Sequence, residues 1–540
     1  MPTPPPATAL DLRDRDALFD ALGGEVFDLA IIGGGITGAG IARDAALRGL
    51  TVALVEARDF ASGASSRSSK MIHGGLRYLA QGDLALVREA ASERKIVEAI
   101  APHLARRTPF VMPFRNAAAE ARLRAGLWTF EKLGEVPRDR RHEVWSAADV
   151  RAREPAIDAG ELSGAVVYPE YLTDDARLTL ANVRAAAVAG ARVASYAAVE
   201  TIILENGRAV ALVVADTLPG GEHRRVRLRA RVIVNAAGPW VDAVRALESA
   251  GAAPKLAMAR GVHLVVPHER LPVGRVVIMS AADRRGVFAV PKGAVTYIGT
   301  TDTFHPAAEA WPPVTVEDAD YLLSAAAARF SSPRLTASDV VCAWSGIRPL
   351  VAEAGKSASN ISRRDELWTG PGDVLSIAGG KLTAYRRMAE RVVDKVADEL
   401  GRRVAPCRTS DTPLPGGDGK PTDVRRALIE GGQSAVDADR LVGLYGTEAP
   451  SVIADGAGPA AEARRAVLAE GALTLEDYWA RRSARAWFDP DGGLGALEAA
   501  AGAMAPLLGW TAARTAGEIA RCRERHGKDL AGLRATAAPA

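Results

Sequence analysis

The chain has 540 residues, 48% apolar, 25% charged and 5% aromatic, with 68 basic against 65 acidic side chains for a formal charge of +3. This globular composition excludes a small stapled scaffold and gives no electrostatic footprint for nucleic acid; at roughly 100–200 residues per domain it predicts about three domains. Cys342, Cys407 and Cys522 lack CxxC spacing and the histidines show no HExxH, so neither a disulfide framework nor a metal site is expected.

The N-terminal lead is rich in proline and has no basic start followed by an apolar core, which argues against a signal peptide. The longest uncharged stretches, 29–42 and 499–513, fall short of the ~18 residues a spanning helix needs. Residues 26–32 (VFDLAII) read as a buried strand, 36–48 as a helix closed by Gly49, and 51–56 (TVALVE) as a second buried strand, together a βαβ unit. Helical patterns follow at 83–100, 115–134 and 174–189. From 192 to 235 the pattern is of strands, with Asn206-Gly207 as a hairpin turn and 231–235 (RVIVN) as another buried strand. Short strands at 262–267, 286–291 and 295–301, each ended by Pro or Gly, predict a mostly antiparallel sheet. Residues 316–330 are helical in pattern, 339–345 strand-like, and 374–379 a buried strand leading into a helix over 382–400. The Pro- and Gly-rich segment 406–421 reads as a linker, and 422–540 as a separate, almost entirely helical domain.

Gly33, Gly35 and Gly38 form G-x-G-x-x-G between the first strand and its helix, with Gly34, Ile36 and Thr37 filling the loop. Glycines let the backbone approach a pyrophosphate, and the helix N-terminus presents unpaired N–H groups with about half a positive charge. Glu56 ends the second strand, where a carboxylate accepts from ribose hydroxyls. Flavin and nicotinamide dinucleotides share this fingerprint. Two more strands end in NAAGPW (235–240) and AGGKLTAYR (378–386), and ligands gather at the carboxyl ends of parallel strands.

Together with ASSRSSKMIHGGLRYL (64–79), YLTDDARLTLAN (171–182), IGTTD (298–302) and SGIRPL (345–350), these segments resemble the FAD-dependent, membrane-associated glycerol-3-phosphate dehydrogenases. The resemblance runs in order from about residue 25 to 400 and more loosely through the helical C-terminus. It implies a Rossmann-like FAD-binding α/β domain of the D-amino-acid-oxidase/glutathione-reductase type, interleaved with a mostly antiparallel substrate domain and followed by an all-α domain. The boundaries expected are 25–110, 160–250 and 340–402 for the flavin domain, 111–159 and 251–339 for the substrate domain, and 422–540 for the helices. The activity implied is oxidation of sn-glycerol 3-phosphate to dihydroxyacetone phosphate with FAD as cofactor and a quinone as acceptor. An oxidase that uses oxygen, and a non-catalytic flavin-binding regulatory protein, are the alternatives. The expected location is cytoplasmic, peripheral on the cytoplasmic face of the inner membrane, with a homo-oligomer allowed.

The resemblance also implies roles for residues. Arg77, Arg363 and Lys381 fall at its phosphate-binding positions, with Arg364 able to replace Arg363. His263 and Arg348 fall at the substrate carbinol. A guanidinium with a pKa above about 12 is a poor base, whereas imidazole near 6.5 is available neutral, so His263 is read as base and Arg348 as the charge that stabilises a developing alkoxide. Ser65, Ser66, Ser68, Ser69 and Lys70 are expected to line the flavin, as are Gly74, Gly238, Gly379, Gly380, Leu382 and Thr383. Arg122, Leu123, Arg124, Leu127, Trp128, Phe130 and Lys132 in the 115–134 helix suit a lipid interface, or equally a helix packed on its own domain.

Overall fold

Apolar stretches at 29–32 (LAII), 52–55 (VALV) and 232–234 (VIV) build the centre of the first of two sheets. The computed structural model describes residues 9–73, 83–331, 333–353, 355, 361, 364–454 and 456–534. Strands Val52–Val55, Val26–Ile32, Arg225–Asn235 and Leu375–Gly379 lie side by side in parallel. Arg192–Ala194 extends this sheet in parallel, and Asp365–Thr369 closes its other edge antiparallel. The hairpin Ala197–Glu205/Arg208–Asp216 turns at Asn206 and Gly207, both with positive φ, and pairs with the first half of Arg225–Asn235. Two cores flank this sheet. Leu29 and Ile31 face helices Ile36–Leu47, Asp175–Val188 and Tyr385–Glu399, whereas Phe27, Ala30 and Ile32 face Phe19 and Leu22 of helix Arg15–Gly24 and the hairpin's Ile202 and Leu212.

In the second sheet the central strand is Leu256–Pro267, flanked by Val295–Gly299 on one side and by Cys342–Val351 on the other. Beyond Val295–Gly299 come Gly286–Lys292, Val276–Ser280, Arg106–Phe114, Gly164–Leu172 and Met71–Ile72. Every pairing among these is antiparallel except Val276–Ser280 against Arg106–Phe114. Val262, Leu264 and Val266 point to a core with Leu322 of helix Val316–Ala327. The opposite face carries Val265, Tyr297, Cys342 and Trp344, and it is covered by Trp479, Trp487 and Met504 from the C-terminal helices.

Three expectations change. The boundaries 160–250 and 340–402 cut into the second sheet, because Gly164–Leu172 pairs with Arg106–Phe114 and Cys342–Val351 pairs with Leu256–Pro267 along its whole length. The helical region is contiguous but not separate, since its tryptophans share a core with the second sheet. A fully buried aromatic side chain removes ~150–250 Å² from water, an upper bound of about 4–6 kcal/mol each at ~25 cal/mol/Å². Residues 406–421 have no regular element before Pro421 but are pinned, with the Leu414 N–H on Ile100 O (2.8 Å) and the buried Arg43 on Thr412 O (2.5 Å).

Helix Ala117–Leu133 buries Leu127 in the core beside the second sheet and Phe130 against Val87, and leaves Trp128 58% exposed. No helix among the described residues is long and apolar enough to cross a membrane.

Candidate active site

Three adjacent parallel strands end at one edge of the first sheet, in the loops Gly33–Gly35, Ala236–Gly238 and Gly379–Lys381. Close approach explains the glycine fingerprint. A Cβ on Gly38 would stand 1.9 Å from Gly33 O, and one on Gly33 would stand 2.6 Å from Ala236 O. Gly35, Ile36 and Thr37 stay half-exposed at the start of helix Ile36–Leu47, the end that favours an anion. Glu56 lies beside them, its Oε2 accepting from Gly34 N–H (2.8 Å) and its Oε1 from Arg58 N–H (2.9 Å). Burial raises its pKa, partly offset by those two N–H donors.

One short loop joins this cradle to the second sheet. At its start Ser65 Oγ accepts from Ile36 N–H (2.9 Å), and four residues on Ser69 Oγ meets His263 Nε2 (2.9 Å). Between them Ser66 Oγ is buried with no hydrogen-bond partner among the described residues. Ser68 and Lys70 turn the other way. Ser68 Oγ donates to Asp175 Oδ2 (2.7 Å), and Lys70, buried, gives its Nζ to Asp175 Oδ1 (2.5 Å) and Ser66 O (2.9 Å). Their side chains therefore anchor the loop to helix Asp175–Val188, where the sequence alone has them lining the cofactor.

His263 is 1% exposed and stacks on Trp344, ring centroids 4.7 Å apart and planes 11° from parallel. The two are cross-strand partners, and on the other side Gly299 faces His263, where a Cβ would come within 2.0 Å of the ring. Burial first, then the charges of Arg348 and Lys70, push the imidazole pKa well below 6.5, so the ring is neutral. Its Nδ1 has no hydrogen-bond partner among the described residues. Arg348 lies four residues along the strand from Trp344 on the same face, above Gly261. Its guanidinium donates to Thr300 Oγ1 (2.9 Å), Thr301 O (3.2 Å) and Asp302 Oδ1 (3.1 Å).

Comparison with known proteins agrees with this geometry. A family model described as FAD dependent oxidoreductase matches residues 28–386, and one described as the C-terminal domain of alpha-glycerophosphate oxidase matches 407–515. The aerobic glycerol-3-phosphate dehydrogenase of Bacillus subtilis is 37% identical over 503 residues, 88% of this chain and 90% of that one. The Staphylococcus aureus enzyme of the same description is 41% identical over 418 residues, 76% and 74% of the two chains. The crystal structure of the glycerol-3-phosphate dehydrogenase from Bacillus halodurans complexed with FAD superposes with a TM-score of 0.81 at 33% identity, covering 97% of this chain and 99% of that one.

The chain belongs to the FAD-dependent glycerol-3-phosphate dehydrogenase family. FAD is the cofactor, and the residues fit it: a glycine loop with no room for a Cβ, an anion-favouring helix end, and an oriented carboxylate at the end of the next strand.

Of the family's expected site residues, the structure brings together Gly33, Gly34, Gly35, Ile36, Thr37, Gly38, Glu56 and Ser65 at the cradle. Ser69 and Arg348 converge on buried His263 of the second sheet, Ser69 by a hydrogen bond and Arg348 by its charge. Gly238, Gly379, Gly380, Lys381 and Leu382 line the strand ends half-exposed, and Thr383 Oγ1 accepts from His73 N–H and donates to His73 O (both 3.2 Å). Gly74, Arg77 and Arg363 lie outside the described residues. Arg364 is held bidentate by Asp83 (2.9 and 3.0 Å). Sequence reasoning missed Trp344 and Gly299, which fix His263, and Asp175, which fixes the loop. Two signals were present. Asp175 stands inside YLTDDARLTLAN, and the glycine of IGTTD sits directly opposite His263.

Proposed function

We propose that this chain oxidises sn-glycerol 3-phosphate to dihydroxyacetone phosphate and passes the electrons to a membrane quinone. The observation that carries the reading is the Ser65–Lys70 loop, which touches the dinucleotide cradle at one end and His263 at the other. FAD, when bound, accepts a hydride from the carbinol carbon of the substrate. His263 takes the hydroxyl proton at Nε2, the nitrogen that faces Ser69 Oγ, and Trp344 and Gly299 hold the ring in place. A positioned base of this kind contributes about 10²–10⁴-fold. Arg348 stabilises the developing alkoxide, a charge-assisted contact worth roughly 1.5–3 kcal/mol. Lys381, at the half-exposed end of strand Leu375–Gly379, binds the phosphate with Arg77 and Arg363.

A lipid-soluble acceptor requires work at a membrane surface, and exposed Trp128 with Arg122, Arg124 and Lys132 on helix Ala117–Leu133 supports one. The oxidase description of the 407–515 family model favours oxygen as a second acceptor reading. Turnover with sn-glycerol 3-phosphate and a soluble quinone, under air and under argon and with glycerol as control, separates them. The quinone reading expects equal rates in both atmospheres and little peroxide. Rapid peroxide formation without quinone makes the chain an oxidase, and no turnover with the phosphate ester removes the substrate assignment.

A further inference from the structure

The segment from Glu56 to Ser65 carries two of the cofactor-facing side chains, and its middle is gripped from the opposite end of the chain. Asp59, 1% exposed, accepts from Arg481 Nε (2.5 Å), Arg482 Nη1 (2.5 Å) and Arg482 Nη2 (2.8 Å). Both arginines are buried in the helical turn Asp477–Arg482 of the C-terminal region. Arg481 Nη2 also donates to Asp477 Oδ1 (2.8 Å), which accepts from Tyr196 OH (2.7 Å). Tyr196 returns to the same loop, its N–H donating to Arg58 O (2.8 Å), and the next N–H, of Ala197, donates to Glu56 O (2.7 Å). Two residues past Asp59, Ala61 N–H donates to Gly34 O (3.0 Å) inside the phosphate loop. Burial alone would raise the Asp59 pKa, but Arg482 and Arg481 outweigh it and hold the carboxyl below its usual range. A charge buried this deeply without its partners is strongly destabilising, so the loop cannot keep its course if the C-terminal turn leaves.

We infer that the C-terminal helical region is a cofactor-retention element: Arg481 and Arg482, acting through Asp59, hold the Glu56–Ser65 loop in the shape FAD requires. The inference rests on the reading of Glu56 and Ser65 as FAD ligands. Asp59, Arg481 and Arg482 are positioning residues. Linkage makes the effect reciprocal, so FAD stabilises docking of the C-terminal turn by the same factor that the turn strengthens FAD binding.

A second buried seam serves as the control. On helix Asp175–Val188, Arg184 grips Glu448 (2.8 and 2.8 Å), nine residues past the Asp175 that anchors the Ser65–Lys70 loop, and Glu448 keeps Arg465 as a partner if Arg184 is lost. If the C-terminal region served bulk stability alone, breaking either seam would affect FAD alike.

The test is titration of the deflavinated full-length protein with FAD, followed by quenching of flavin fluorescence. Asp59→Asn is expected to weaken FAD binding by about tenfold. Arg184→Met is expected to lower the thermal midpoint of the apoprotein while leaving FAD affinity within about twofold. Arg482→Lys keeps the charge but gives up the two-pronged grip. It is expected to lose about threefold, and it decides the matter if Asp59→Asn does not fold. FAD should also slow amide exchange across 477–488 in the unaltered protein. Wild-type FAD affinity in Asp59→Asn or Arg482→Lys overturns the inference, as does equal weakening by Arg184→Met. Glu56→Ala in the same titration separates the failures: if it weakens FAD and Asp59→Asn does not, the linkage alone is wrong, and if it has no effect, the loop is not the cofactor site and the inference goes with it.

Discussion

On the proposed mechanism His263 collects the carbinol proton; such a base must be neutral before it acts, and burial keeps this ring so. The cost of charging an imidazole beneath Trp344, near Arg348 and Lys70, keeps it unprotonated where a solvent-exposed histidine would already be half charged. In the pH profile of kcat/KM, activity is lost as pH falls through the pKa of such a base, so the acid limb belongs below 6.5. A limb at or above that value assigns the base elsewhere. His263→Gln preserves a polar atom for Ser69 and removes the proton acceptor. It is expected to lower kcat by about 10²–10⁴ with KM changed only a few-fold, and an unaltered kcat takes His263 out of the mechanism.

Element geometry determines where these side chains stand. Strands Leu256–Pro267 and Cys342–Val351 place Gly261 opposite Gly346, and on the face they share the Arg348 guanidinium lies over Gly261 and Arg67 O over Gly346. A Cβ on Gly261 would stand 2.2 Å from Arg348 Nη2, the flexible end of its side chain, so Gly261→Ala should fold and bind FAD while displacing Arg348. The expected signature is a fall in kcat/KM of about tenfold or more with normal flavin content; normal kcat/KM would mean that Arg348 does not act from this position. The cradle was legible in the sequence because its main parts are local: strand, glycines, helix and acid follow within 31 residues, from Val26 to Glu56. The antiparallel sheet was legible in its short strands and terminators. The pairing of His263 with Trp344 was not, because register between residues 81 positions apart is set by which faces bury. Polarity alone likewise says nothing of direction, so Ser68 and Lys70 read the same as Ser65 and Ser69 although they face Asp175.

At the scale of the molecule, the C-terminal helices and the two sheets behave as one packed body. His103 marks the seam, buried against Gly416 and Gly446, with Nδ1 unpartnered among the described residues. Burial, with Arg177 beside it, pushes its pKa down to about 3, against 6.5 in an unfolded chain. Between those values the unfolded chain binds a proton that the native one refuses, so this residue removes about 1.4 kcal/mol of stability for each pH unit below 6.5 and nothing above it. His103→Gln should flatten the fall of unfolding free energy between pH 6.5 and 4.5 by one proton's slope, and an unchanged slope would place the acid sensitivity elsewhere. Surface contact is tested separately with anionic lipid vesicles. Trp128→Glu should reduce co-sedimentation several-fold, whereas full retention excludes that helix as the contact.

Anaerobic mixing, with no acceptor involved, tests whether this flavoprotein removes a hydride from the carbinol carbon of sn-glycerol 3-phosphate. The visible flavin absorbance should bleach completely and rapidly with one equivalent of sn-glycerol 3-phosphate or slightly more, stay oxidised with glycerol, and bleach about 10²-fold or more slowly in His263→Gln. A flavin that remains oxidised in the presence of excess sn-glycerol 3-phosphate would rule out its oxidation by this protein.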